Sequence, residues 1–407
     1  MARSSGATVA SGALPTPPGR GRAAGPTGEM PAVHVTVDGY VFEQQSRGGI
    51  SRVFHEILPR MCDADEALTV SLLTSGRLRQ ALPVHARMRH VPLFPIGDVM
   101  QPERVWAPLI PAGRRLVQAG QVGEASAGIW HSTYYTSPPA GWKGPRVVTV
   151  YDLVHEQFAA EYASLHARVF RREKRRSAEE ADLVICISEA TRQAVLAHYG
   201  VPASRTRVVP LAASAAFGPQ EAAAPPGAPS PGRPFLLYVG QRGGYKSFSL
   251  LLEALAHWPG RRGDRPRLVA VGGAWSRGER RAIGELGLAE DVAVRTSADD
   301  AALAALYRAA AAFVYPSLAE GFGIPLLEAL ACGCPVVASR IPPTVEVAGE
   351  LPYYFAPGSA EDLRRALGEA LAAGREPGRV AAGLARAALY SWDATARGTL
   401  EAYRALS

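Results

Sequence analysis

The chain has 407 residues, 47% hydrophobic and 20% charged, which excludes a chain disordered throughout and suits two domains of about 150–200 residues. Its net charge of +7, from 44 Lys and Arg against 37 Asp and Glu, favours anionic partners such as a nucleotide, a phosphorylated acceptor or an anionic membrane face. No apolar run approaches the ~20 residues that a membrane-spanning helix needs, and four cysteines suggest no disulfide framework and no zinc site.

Residues 1–31 are rich in Gly, Pro, Ala and Ser and carry too little apolar surface to offset their ordering entropy, so a disordered tail is expected there. Met30 stands directly before the first strand-like run, which leaves the start of translation open between Met1 and Met30. Arg3 is followed by no continuous apolar segment of the secretory kind, so a cytoplasmic, reducing compartment is expected. Next come a strand at 33–40 (VHVTVDGY), a helix at 50–61, strands at 128–136, 146–154 and 181–188, and a helix from Glu189. A Pro-, Ala- and Gly-rich tract at 218–234 breaks the chain and reads as a linker, placed at 216–233 between a first domain at 32–215 and a second at 234–388. In the second half, apolar runs at 234–240, 267–273 and 311–317 each precede a polar turn and a helical stretch. Apolar strands alternating with helices imply an α/β fold of two doubly wound domains, each a parallel sheet buried on both faces.

Such sheets bind ligands where strand ends run into helix starts. Three junctions of this kind carry chemistry. After the first strand come Arg47, Gly48 and Gly49, with Ser51 placed to cap the helix; backbone N–H groups of such a turn approach a phosphate closely, although many loops use Gly-Gly for a tight turn and the GxGxxG spacing is missing. After LLYVG comes QRGGYKSF, where Arg242 and Lys246 flank a Gly-Gly at the opening of a helix, an arrangement suited to a diphosphate as well as to a solvated surface pair. The third is EGFGIPLLEALACGCP. Pro325 fits a first helical turn, which puts Glu320 in the preceding loop and Glu328 one turn inside. Acids at a helix start also complement its dipole, but loop cations and loop acids at strand ends of one domain favour a shared site. Cys332 and Cys334 read as buried reduced thiols.

Glu320 and Glu328 are separated by seven residues, and with YPSLAEGFGIPLLEALACGCPVVAS, YVGQRGGYKSF and RGGIS the chain from about residue 33 onward resembles the retaining GT-B glycosyltransferases of family four, the E-x7-E type. The resemblance implies two Rossmann-like domains facing an interdomain cleft, and a closing helix at 389–407 that crosses back to the first domain. It further implies a nucleoside-diphosphate sugar as donor, held mainly by the second domain, with no cofactor and no metal. Arg242 and Lys246 match the cations on the diphosphate, and Gly49 matches a glycine whose amide approaches it. Glu320 matches the acid on the donor sugar, Gly321, Phe322, Gly323 and Ile324 the loop that lines sugar and phosphate, and Glu328 the acid on the ribose. The base is placed near Arg295, Thr296 and Ser297.

The first domain departs from the family pattern after its VVTV strand, where Tyr151 and Asp152 stand in place of a histidine, followed by His155; His131 lies in IWHSTYYT. Asp152 and His131 are taken as candidate contacts to sugar or acceptor, though strand-end His and Tyr residues are often simply packed. The basic run at 168–176 has the charge for an anionic lipid or phosphorylated acceptor and equally the composition of a solvated helix face, the favoured reading. FEQQSRGGISR and HSTYYT are similar to bacterial polysaccharide mannosyltransferases, which makes GDP-mannose the first donor expected, with UDP-sugars next. The acceptor is a hydroxyl of a glycan, a lipid-linked glycan or a small molecule, met through first-domain loops such as 76–127, with peripheral contact at the inner membrane face as a further expectation. A sugar-nucleotide epimerase on the same fold is the alternative. Scattered basic residues without aromatic interleaving disfavour nucleic acid.

Overall fold

Val33, Val35 and Val37 on one side of the first strand and Thr36 on the other are all buried, the pattern of a strand covered on both faces. The computed structural model describes residues 32–46, 48–93, 109, 116, 128–219 and 233–406. The predicted tail at 1–31, Arg47, nearly all of residues 94–127 within the predicted loop region 76–127, and the tract at 220–232 within the predicted linker lie outside the described residues.

The first sheet contains β1 (Val33–Asp38), β2 (Leu68–Thr74), β3 (Met88–Pro92), β4 (Ile129–Ser132), β5 (Arg146–Val150), β6 (Leu183–Cys186) and β7 (Thr206–Val208), in the order β3-β2-β1-β4-β5-β6-β7. The second contains β8 (Phe235–Val239), β9 (Arg267–Val271), β10 (Val292–Arg295), β11 (Ala312–Tyr315), β12 (Val336–Ser339) and β13 (Tyr353–Phe355), in the order β10-β9-β8-β11-β12-β13. Every adjacent pair is parallel. Strand order reverses beside β1 and beside β8, the two switch points where such sheets open a crevice. The expected pair of doubly wound parallel sheets is therefore present. Strands β2, β3, β7, β10, β12 and β13 go beyond the predicted ones; they are short, lie toward sheet edges or sit inside longer apolar stretches.

In the first half, α1 (Tyr40–Gln44) and α2 (Gly49–Ala64) follow β1, α3 (Val154–Gln157) and α4 (Leu165–Glu180) follow β5, and α5 (Glu189–Tyr199) follows β6. In the second, α6 (Phe248–Ala256), α7 (Arg277–Glu285), α8 (Asp300–Ala309), α9 (Ile324–Ala331) and α10 (Pro342–Ala348) follow successive strands, and α11 (Ala360–Ala373), α12 (Pro377–Ala388) and α13 (Trp392–Arg404) close the chain. Ser51 is not the cap of α2. The helix begins two residues earlier, the Ser51 hydroxyl donates back to the Gly48 carbonyl, and Gln45 Oε1 accepts from the Ser51 N–H.

One apolar cluster runs from the first sheet through Phe217, Trp392 and Leu400 to one face of the second sheet, and a second cluster containing Phe248, Leu251, Leu363 and Leu367 covers the opposite face. Helix α13 returns to the first sheet. Thr395 Oγ1 donates to the Pro210 carbonyl at 2.7 Å, Arg404 pairs with Asp65 at 2.9 Å, and Tyr403 Oη hydrogen-bonds His131 Nδ1 at 2.5 Å.

This last contact corrects the expectation for His131. The ring is fully buried, its Nε2 is taken by Thr149 Oγ1 at 2.9 Å, and burial pulls its pKa down to about 3. It is a neutral core histidine with no nitrogen available to a ligand. Tyr403→Phe strands one buried ring nitrogen and is expected to cost about 1–3 kcal/mol, seen as a lower Tm.

The basic run lies on α4 and is largely consumed by the fold. Lys174 is buried, 2.7 Å from Glu156 and 3.1 Å from the Asp152 carbonyl; Arg171 donates to the carbonyls of His155, Ala159 and Tyr162; Arg175 and Arg176 pair with Glu179 and Glu180. That arrangement speaks against an anion-binding surface and also corrects the solvated-face expectation at Lys174, which is buried.

Candidate active site

The carboxyl ends of the two sheets meet. A side chain added at Gly321, in the loop after β11, would stand 1.6 Å from the Tyr151 carbonyl at the end of β5, so only glycine admits this approach. The Gly321 carbonyl accepts from Ser188 and Thr191 at the start of α5. Phe158, after α3, packs against Tyr245, after β8.

On the second sheet, the chain leaves β8 through Gly240, at φ 129°, into a single 3-10 turn at Gly244–Lys246. Ser247 then enters α6 at φ 48°, a left-handed conformation unusual for a residue with a side chain. Tyr135, after β4, is the other such residue among those described, so both lie beyond strand ends on the cleft side. The Leu318 N–H donates to the Tyr245 carbonyl, tying the β8 and β11 loops together, and Lys246 Nζ reaches Glu320 Oε1 at 2.6 Å. Residues 74 apart in sequence thus form one ion pair. No acceptor among the described residues takes the N–H of Phe322, Gly323 or Ile324, which lead into α9, while the Phe322 ring packs inward against Tyr390. Phe322 therefore offers its backbone and not its ring.

Arg242 differs from expectation. It is not a free cation: its Nε lies 2.5 Å from Glu279 Oε1, its guanidinium donates to the Gly273 and Ala274 carbonyls, and it stacks 4.5 Å from the Trp275 ring centroid. Burial alone would raise the Glu279 carboxyl, but hydrogen bonds from Arg242 and Ser276 hold it down at about 2. Glu279 is also the third residue of a capping box at the start of α7, so the partner of Arg242 is itself anchored.

Glu328 lies one turn inside α9 and is buried. Tyr307 Oη donates to its Oε2 at 3.1 Å, and Arg52 of α2 approaches its Oε1 at 3.5 Å while also pairing with Asp300 of α8. Desolvation dominates over the Arg52 charge and pushes the Glu328 carboxyl up to about 7. Gly49 opens the same α2, and a side chain added there would meet nothing within 4 Å. Thr296 is exposed just beyond β10, four residues before Asp300.

Asp152 lies at the end of β5 with its carboxylate partly exposed, 3.8 Å from Lys174, and caps the Val154 N–H. His155 packs between Tyr162 and Phe170, and burial, then Lys174, lowers its pKa. The structure thus brings Lys246, Glu320, the Gly321–Ile324 amides and Glu328 to one helix start, with Gly49 and Asp152 opposite, and leaves His131 in the core. Arg52, Asp300, Glu279, Ser188 and Thr191 were not singled out from sequence. Only Arg52 carried a signal, one turn beyond a Gly-Gly. Among the described residues, no group of three His, Cys, Asp or Glu side chains is placed to hold a metal ion.

Two family descriptions cover most of this architecture: Glycosyltransferase Family 4 matches residues 47–215 and Glycosyl transferases group 1 matches residues 220–382. The chain belongs to glycosyltransferase family four. It is 30% identical over 245 residues to the O-antigen chain mannosyltransferase B of Escherichia coli, covering 56% of this chain and 62% of that relative. It is 37% identical over 193 residues to a D-inositol 3-phosphate glycosyltransferase of Frankia alni, covering 42% and 44%. The chain thus spans less than two thirds of the length of each of these curated relatives. Its fold superposes on the sucrose-phosphate synthase of Thermosynechococcus elongatus with a TM-score of 0.73 at 23% identity, over 92% of this chain and 99% of that one. The two-sheet fold of this family four glycosyltransferase is accordingly GT-B. Both sides of its cleft are supplied by strand-end loops.

Proposed function

We propose that this protein transfers a sugar from a nucleoside-diphosphate sugar to an acceptor hydroxyl with retention of anomeric configuration. The observation that carries this reading is the Lys246–Glu320 pair beside three acceptor-free amides at the start of α9, with Glu328 one turn further in. A diphosphate over that helix start meets N–H donors, the positive end of the dipole and Lys246. Glu320 accepts from sugar hydroxyls and Glu328 from the ribose. Arg242, fixed by Glu279, lies at the end of β8 where its guanidinium complements the same phosphates.

The bond between the anomeric carbon and the diphosphate oxygen breaks while the acceptor oxygen bonds to that carbon on the same face. The acceptor proton passes to the departing phosphate oxygen. Charge grows on the diphosphate, and preorganised donors stabilise it, work that needs no metal in this reading. Asp152, across the cleft, accepts a hydrogen bond from sugar or acceptor. GDP-mannose is the first donor to test, given the mannosyltransferase relative. The acceptor is a glycan, lipid-linked or small-molecule hydroxyl.

A thermal-shift screen with GDP-mannose and UDP-, dTDP- and ADP-sugars tests the reading directly. At a ligand concentration of about 100 times Kd, one of them should stabilise the protein by about 2.7 kcal/mol. No shift with any of them would refute the donor site, and an inverted product would refute retention alone.

A further inference from the structure

The loop that leads into α9 is held from the opposite sheet. Ser188 Oγ donates to the Gly321 carbonyl at 2.5 Å and Thr191 Oγ1 donates to it at 3.0 Å; both side chains are buried. The same turn of α5 is locked by Glu346 of α10, whose two carboxylate oxygens accept from the Glu189 and Ala190 N–H groups at 2.6 and 2.9 Å. The Tyr151 carbonyl closes the remaining side of Gly321. One carbonyl of the donor loop is therefore gripped by two hydroxyls from a helix whose own start is anchored.

A peptide unit is planar and trans, so its C=O and N–H point in opposite directions. Fixing the Gly321 carbonyl toward α5 turns the Phe322 N–H away from α5, and that N–H begins the run of three without a protein acceptor among the described residues. Were this peptide to rotate, a carbonyl would replace an amide in front of a bound anion.

We infer that Ser188 and Thr191 are positioning residues, which orient the Gly321–Phe322 peptide so that its amide meets the donor's diphosphate-linked sugar. The donor loop is thus completed by the first sheet and not by the second alone. This rests on the nucleotide-sugar reading above.

Thr191→Val keeps the shape and removes the hydroxyl, including its 3.0 Å contact with Ser188 Oγ, Thr191→Ser keeps the hydroxyl, and both keep the Thr191 N–H that Ser188 caps. Calorimetric titration uses two probes: the nucleoside-diphosphate sugar that stabilises the wild type, and the matching nucleoside monophosphate, which lacks the sugar-linked phosphate. Thr191→Val should bind the nucleotide sugar about tenfold more weakly, Thr191→Ser should restore binding, and the monophosphate should bind all three proteins alike. Unchanged nucleotide-sugar affinity in Thr191→Val overturns the inference. So does equal weakening for both probes, the mark of a merely structural contact, or a failure of Thr191→Ser to restore binding. A wild type that binds no nucleotide sugar overturns the functional reading itself, an outcome visible before any variant is made.

Discussion

Lys246→Ala is expected to slow donor turnover by about 10²–10³-fold, with folding retained. Lys246 is the cation that the structure places beside the donor-loop acid, 2.6 Å from Glu320. Its ammonium is mostly buried among Tyr245 and Tyr315, with Nζ 5.1 and 5.8 Å from their ring centroids, so its field is little screened by water. In the proposed reaction negative charge on the diphosphate rises as the anomeric bond breaks, which would make the lysine worth more in the transition state than in the bound ground state. The loss should therefore fall on kcat more than on KM. Release of nucleoside diphosphate, followed with saturating donor, measures it. Lys246→Arg should recover only part of the rate, because a planar fork does not occupy the place of a point charge paired with Glu320. A drop of less than about tenfold for Lys246→Ala would remove the lysine from the chemistry.

Glu328→Gln is expected to weaken nucleotide-sugar binding by about tenfold or more while raising stability at neutral and alkaline pH. In the folded protein the carboxyl titrates at about 7, above its ordinary 4.5, because burial outweighs the attraction of Arg52. Between those two values the folded state holds a proton that the unfolded state has released, so stability falls as pH rises through this window. Below it both states are protonated and the penalty vanishes. Above it the full penalty applies, on the order of 3 kcal/mol, and the neutral amide escapes it. Melting curves of wild type and Glu328→Gln should converge near about pH 4 and separate by several degrees near about pH 8. Donor affinity runs the opposite way. With the ribose placed on Glu328 as proposed, only the ionised carboxylate could accept from both of its hydroxyls, so wild-type binding should weaken as pH falls through about 7, and the glutamine variant should show no such slope. Parallel melting curves across the pH range would show that Arg52 neutralises the carboxylate instead.

The stability gain expected from removing Glu328 is itself informative. A buried acid that costs stability and sits at a helix start beside free amides is the kind of residue that a ligand explains and packing does not. Arg242 teaches the converse. Its place after β8 was legible, but its pairing with Glu279, 37 residues away, depends on how the β8 and β9 loops stand side by side. Sequence spacing carries no information about that.

Local pattern was enough for the class of fold, because buried parallel strands read as short apolar runs and each is followed by a turn and a helix start. It was also enough to set Glu320, Gly321 and Glu328 around one helix start, since a helix start and its preceding loop are contiguous in sequence; the arrival of Lys246 beside Glu320, from 74 residues away, was decided by the packing of the β8 and β11 loops. His131 marks the limit, because a histidine at a strand end looks the same whether it faces the cleft or the core; the return of α13, which places Tyr403 on the ring, decides it. The basic run on α4 reads from composition as a solvated face, and only tertiary packing buries Lys174 against Glu156. Contacts across the cleft, Arg52 to Glu328 and Ser188 and Thr191 to Gly321, join residues 276, 133 and 130 positions apart. Such pairs follow from the docking of one sheet's loops on the other's, a long-range packing outcome that no local periodicity encodes.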